Sequence, residues 1–277
     1  MNLIKKFISI SIILFVGVFS IAQENQLTNS ELIEQSLYWE NVYFNSDSNT
    51  EKTISILNRS HILIKLDNKR EALKLLEKIV YFNLSDTLMY ESYKLSAHTA
   101  YLMNKYSKTD KFLRQMYAYT PELIDSDLIR LSVFTYNELN RYDLSKIQLI
   151  KLIENKQNDS IDKLKSEANL LYEKLPKLKN QNKARSLATA IPGLGHIYGN
   201  KPLKGLFNLS LISASFATGI YAFTERYYFS SLLMYSLGIK FYEGGKNSSY
   251  YFAGQLNYKR TKLFSSEIKE FIKENKL

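Results

Sequence analysis

Three stretches of this chain carry the same punctuation at the same interval. "LDNKREALKLLEKIV" around Asn68, "LMNKYSKTDKFLRQMY" around Asn104 and "LNRYDLSKIQLIKLI" around Asn140 align on an asparagine, each 36 residues from the last. In each, an apolar run ends, Asn follows, then Lys or Arg, then a second run. Apolar segments stand upstream: "SHILIKL", "AHTAYLM" and "SVFTYNEL". Asn suits a turn between helices because it tolerates left-handed backbone angles. Ala72, Leu73, Leu75, Leu76 and Ile79 recur at helical spacing and make one apolar face. A helix pair with one such face cannot bury it alone, so neighbours must stack. With only four Pro and ten Gly in 277 residues, the pattern predicts an all-α fold.

These residues resemble the tetratricopeptide repeat family over about residues 52–155. Asn68 takes the turn position and Ala72 the small position of the second helix. In the next two units Lys108 and Leu144 stand at that small position. The resemblance implies helix pairs that present a surface to a protein partner. Further helices are expected over 30–44 and 158–176.

The pattern changes at "IPGLGHIYGNKPLKGLFNL", Ile191 to Leu209. Pro192 disfavours helical geometry at Ile191. Gly193 and Gly195 permit tight turns or close backbone packing. From Gly205 to Phe223 there are 19 residues without charge, and after Thr224-Glu225-Arg226 a second uncharged run extends from Tyr227 to Ile239. This predicts a hydrophobic helical hairpin. The tail "SSEIKEFIKENKL" predicts a separate amphipathic final helix, with Ser266 as its cap and Ile268, Phe271 and Ile272 on one face.

The spacing of Pro192, Gly193, Gly195, Tyr198 and Gly205 is similar to a motif in small bacterial membrane domains of two apolar helices. It also resembles exported bacterial repeat proteins of unknown function, in which a "FY.GG" segment follows, here Phe241 to Gly245 with Gly244 and Gly245. The likeness covers about residues 186–258. It implies membrane association and no known chemistry. His196 stands where many such relatives carry Gln, so no role passes to its side chain.

The glycines do not make a phosphate loop. The third glycine of G-x-G-x-x-G and the Gly-Lys-Ser/Thr ending are both missing, and no strand precedes them. His61, His98 and His196 lie in separate segments without carboxylates at ligand spacing. With no Cys in the chain, disulfides, thiol catalysis and Cys-based zinc sites are excluded. No Gly-x-Ser-x-Gly elbow is present. The expectation is a protein that is not an enzyme and holds no cofactor.

At the N-terminus, Lys5 and Lys6 precede an apolar run from Phe7 to Phe19, and Ser20-Ile21-Ala22 supplies small residues before Gln23. This predicts a cleaved signal peptide over 1–22 and an exported, periplasmic chain. Charge is uneven. Residues 23–174 hold 20 basic and 22 acidic residues, and residues 175–277 hold 15 basic and 5 acidic. Six of the cations, Lys177, Lys179, Lys183, Arg185, Lys201 and Lys204, fall in a stretch with no acid and are expected to face a membrane surface. They precede the first apolar run on the exported side, an arrangement that a plain inner-membrane span avoids. This favours a hairpin that lies on or dips into a membrane, or packs on a membrane protein.

The expected organisation is therefore a signal peptide (1–22), a repeat-like domain (23–176), a basic connector (177–190) and a membrane-associated region (191–277). The expected function is an envelope adaptor that binds a protein through its repeats and membrane lipid or a membrane protein through 191–277, with no nucleic acid. Two other classes stay open: an integral subunit of a transport or assembly complex, and an enzyme whose site the sequence does not reveal.

Overall fold

The computed structural model describes residues 28–156 and 161–277. The expected signal peptide lies outside the described residues. Within them the chain is all-α, with twelve α-helices that pack largely in sequential pairs. The chain forms two compact units, divided between Leu123 and Ile124.

The first unit holds α1 (Asn29–Asn45), α2 (Asn49–Lys65), α3 (Lys69–Leu76), α4 (Asp86–Leu102) and α5 (Tyr106–Tyr119). Each packs on its neighbour in sequence. Thr28 starts α1 with a capping box closed by Glu31. Ile56, Leu57, Leu76 and Ile79 form a buried cluster between the pairs, so the apolar face of α3 faces inward as its spacing requires. Tyr81 stacks on Tyr93 with ring centroids 4.2 Å apart.

The second unit holds α6 (Ser126–Glu138), α7 (Tyr142–Glu154), α8 (Ile161–Glu173), α9 (Gln181–Ala190), the short α10 (Leu194–Tyr198), α11 (Pro202–Thr224) and α12 (Tyr228–Glu274). The stretch 177–190, expected as a connector, is helical from Gln181 because Asn180 caps it by accepting from the Lys183 N–H. The second apolar run and the amphipathic tail, expected as two helices, are one helix of 47 residues, about 70 Å long. No proline interrupts it. Ser266 therefore caps nothing: it sits inside α12 and donates to the Leu263 carbonyl. Ile268, Phe271 and Ile272 are buried together with Ile129, Leu149 and Ile153 of α6 and α7. Arg130 Nε donates to the terminal Leu277 carbonyl at 2.9 Å, which fixes the end of α12 on α6.

One turn recurs through both units. Asp67, Asn104, Asn140, Asn200 and Arg226 have φ of 58°, 56°, 57°, 60° and 66°. The N–H of the next residue bonds the carbonyl five places back in every case: Asn68 to Leu63, Lys105 to Ala100, Arg141 to Tyr136, Lys201 to His196, Tyr227 to Ala222. This closes the last turn of the helix as a Schellman motif. Tyr106 and Tyr142 each donate from their hydroxyl to the turn asparagine two places before them, both at 2.8 Å.

This geometry corrects the sequence register. In the first repeat the left-handed residue is Asp67, while Asn68 follows it and caps α3 by accepting from the Glu71 N–H. Asp67 and Asn68 both suit a turn, and alignment on the Asn alone chose the wrong one. Counted five places from the left-handed residue, the small position holds Ala72, Thr109 and Ser145, all at 0% exposure. Lys108 and Leu144 are not at that position. Both are exposed, and Lys108 pairs with Glu77.

A left-handed φ costs a β-branched residue more than it costs Asn, and costs Gly nothing. Asn104→Val is expected to destabilise the chain by about 1–2 kcal/mol and Asn104→Gly by less than about half of that. Urea denaturation of the two variants checks this. Equal losses would contradict the turn's role.

Candidate functional site

The glycine-rich stretch is where α9, α10, α11 and α12 meet. Pro192 follows the end of α9, and Ile191 before it is extended, with φ −137° and ψ 115°. Gly193 has φ 89°, and a Cβ on it would lie 2.5 Å from the Gly205 carbonyl oxygen. Both demands require glycine at 193, and the contact requires it at 205. A Cβ on Gly195 would strike the Ala184 carbonyl of α9 and would lie 2.8 Å from Ser249 Cβ of α12. Tyr198 accepts from the Asn180 N–H at 3.2 Å, and Lys179 Nζ sits 4.5 Å from its ring centroid. Pro192, Gly193, Gly195, Tyr198 and Gly205 thus lie in one junction.

The later glycine pair divides. Gly245 faces Asn208 of α11, whose side-chain N–H donates to the Phe241 carbonyl at 3.1 Å. A Cβ on Gly244 would meet nothing within 4 Å, so that glycine faces open space.

His196 gains no role from its sequence neighbours, yet it is 2% exposed at the centre of the junction. Its Nδ1 is 2.9 Å from Ser249 Oγ and its Nε2 is 2.8 Å from Ser248 Oγ. Ser249 Oγ is also 2.8 Å from the Gly245 carbonyl, to which it can donate. Burial, and then the Lys204 cation, hold the imidazole below its usual pKa. The neutral ring donates through one nitrogen and accepts through the other, so two adjacent serines satisfy it. Nothing near His196 in the sequence signals this, because both serines come from a helix about 50 residues away.

Beyond the junction, α11 and the first part of α12 form the hairpin. The facing sides combine glycine, serine and asparagine with a few large side chains: Ile212 is buried, and Tyr235 lies over Gly219. Ser231 Oγ donates to the Gly219 carbonyl at 2.9 Å, and Gly238 meets the Phe216 ring. The outward sides are large and apolar, with Leu203 82% exposed, Phe207 67%, Phe229 79% and Leu232 70%. Among the described residues α11 is the one helix long and apolar enough to cross a membrane. At about 34 Å it exceeds the hydrocarbon thickness of a bilayer, about 30 Å.

Of the six cations expected at a membrane surface, Lys183, Arg185, Lys201 and Lys204 lie near the base of this hairpin, and Lys177 and Lys179 lie further along α12. Lys177 and Lys179 lie on a strap bound to α12: Asn257 donates to the Lys179 carbonyl at 2.8 Å and accepts from its N–H at 2.7 Å, and Arg260 donates to the Lys177 carbonyl. Lys183 and Arg185 are exposed on α9. Lys201 precedes α11, and Lys204 in its first turn holds its Nζ 4.7 Å from the Phe252 ring centroid.

Compared with protein-family models, curated proteins and solved structures, the chain matches none.

Two outcomes follow from the junction. Gly195→Ala is expected to cost about 2 kcal/mol or more, since backbone and not a flexible side chain blocks the new methyl. Gly244→Ala is expected to stabilise α12 by about 0.5–1 kcal/mol, because the site is open and helical. Thermal unfolding of the pair reads both, and a reversed order would defeat the close-packing account.

The second concerns pH. Unfolded histidine binds a proton near pH 6.5, above the lowered pKa of folded His196. The unfolded state therefore binds more protons below about pH 6.5, and stability falls as pH drops through that range. The denaturation midpoint is expected to fall between about pH 7 and 5, and His196→Gln is expected to reduce that fall. An unchanged pH profile in the variant would count against a neutral buried ring.

Proposed function

We propose that the protein is a non-enzymatic adaptor of a bacterial envelope, held at a membrane by the α11–α12 hairpin. The supporting observation is the inverted pattern of that hairpin. Its inner seam is rich in glycine and serine, with a few large residues such as Phe216 and Tyr235 packed over the glycines, while many leucines and phenylalanines point outward. Water makes such a surface unfavourable, and lipid tails make it favourable. The helix pairs, read as tetratricopeptide-like, would offer their surface to a protein partner. The signal-peptide pattern of residues 1–22 supports a location outside the cytoplasm on this reading.

A second reading, an integral subunit of a membrane complex, draws on the length of α11. The two differ in where the hairpin tip lies. The chain has no Cys, so Glu225→Cys puts a single thiol there. For an adaptor whose hairpin dips into the bilayer, an impermeant thiol reagent is expected to reach the tip only from the side that carries the helix pairs, or not at all. Labelling from the opposite side would favour the integral subunit. In either case a high-salt wash is expected to leave the protein in the membrane fraction, and Phe229→Glu with Leu232→Glu is expected to shift it to the soluble fraction. A wild-type chain recovered free of membranes would defeat both readings.

A further inference from the structure

We propose that the base of the hairpin binds anionic phospholipid headgroups, and that the affinity resides in the cations of α9 and of the start of α11. This rests on the reading of the hairpin as a membrane element.

Sequence alone groups the cations by neighbourhood, whereas the fold orders them by height. α9 runs antiparallel along α12. The Tyr242 hydroxyl donates to the Thr189 carbonyl at 2.8 Å, Gln181 lies against Gly254, and the strap at Lys179 and Lys177 reaches Asn257 and Arg260. Lys183 and Arg185 therefore stand level with about residues 248–251 of α12, next to Lys204 over Phe252. Lys259, Lys177 and Lys262 stand seven to ten residues further along α12 than Phe252, about 10–15 Å at the helical rise. That separation exceeds the screening length of about 8–10 Å in physiological salt. A headgroup plane at the base of the hairpin would meet Lys183, Arg185, Lys201 and Lys204, and would be largely screened from Lys177, Lys259 and Lys262.

Two further observations favour lipid over an acidic protein. Between residues 175 and 262 the chain has two acids: Glu225 at the far tip, and Glu243, which pairs with Lys246 at 2.7 Å. The near cations thus have no acidic side chain beside them in the sequence to neutralise them. Tyr250 and Tyr251 are exposed on α12 at the same level, and tyrosine beside cations at the end of an apolar helix is the pattern of a membrane interface.

The test uses the full-length chain, purified in detergent and diluted onto vesicles of phosphatidylcholine alone or mixed with phosphatidylglycerol, with flotation as the readout. The expected result is binding to both, with partition onto the anionic vesicles higher by about ten-fold or more at low salt and falling as salt rises. Replacing Lys183, Arg185, Lys201 and Lys204 together by Gln is expected to remove that preference. Replacing Lys177, Lys259 and Lys262 by Gln is expected to change it by less than about three-fold. Lys183→Arg with Lys201→Arg and Lys204→Arg is expected to keep it, which separates charge from packing. Equal partition of the wild type onto both vesicles overturns the proposal, as does a distal variant that loses as much as the proximal one. Failure to float with either vesicle would instead remove the hairpin reading beneath it.

Discussion

Close approach of two helix backbones just after a turn is the constraint on which this fold depends. A single left-handed residue reverses the chain, and the small residue five places later lets the new helix settle on the old one. Its opposite number lies seven places before the turn. The pairs are Ser60 with Ala72, Ala97 with Thr109, Val133 with Ser145, Gly193 with Gly205, and Gly219 with Ser231. Where a serine follows the turn it bonds the facing backbone: Ser145 Oγ donates to the Val133 carbonyl and Ser231 Oγ to that of Gly219, both at 2.9 Å. A large side chain at either place would splay the pair and open those bonds. The junction glycines are thus the extreme case of a rule that these five turns, drawn from both units, obey.

The same turn serves two kinds of cohesion. In the core formed by α6, α7, α8 and the end of α12, Leu and Ile point inward and burial of apolar area provides the drive. In the hairpin most large side chains remain outside, so that drive is weaker between α11 and the start of α12. Contact between small residues and hydrogen bonds to backbone, as from Asn208 to Phe241, hold the pair together. A buried apolar face and an exposed apolar one are carried on one continuous helix, with exposed cations between them.

Much of the helix pattern was legible. Periodicity located the helices over 30–44 and 158–176 to within a few residues of α1 and α8, and Asn104 and Asn140 sit at the left-handed position as their chemistry suggests. The register of the first repeat was not legible, because Asp67 and Asn68 are adjacent and either can turn. Once the register slipped by one, Lys108 and Leu144 fell on the small position and the later repeats looked degenerate. The buried place of His196 was not legible, because its partners are remote in sequence. The glycine pair at 244 and 245 read as one motif, but neighbours on a helix point about 100° apart, and only Gly245 meets another helix.

The continuity of α12 has a cause in the same small residues. Ser231, Gly238 and Gly245 recur every seventh residue, opposite a seam on α11 that runs through Gly205, Ile212 and Gly219. A seven-residue period keeps one face of a helix against its partner. At Gly245 the hairpin seam ends, but Ser249 and Ala253 carry the close contacts onward, now against Gly195 and Gly199. Phe264, Ile268 and Ile272 then take over against α6 and α7. The helix changes partner twice without exposing a stretch that lacks one. A break after the second apolar run would have left Gly195 and Gly199 with no surface to close on, so the tail that read as a separate helix is the continuation the junction requires.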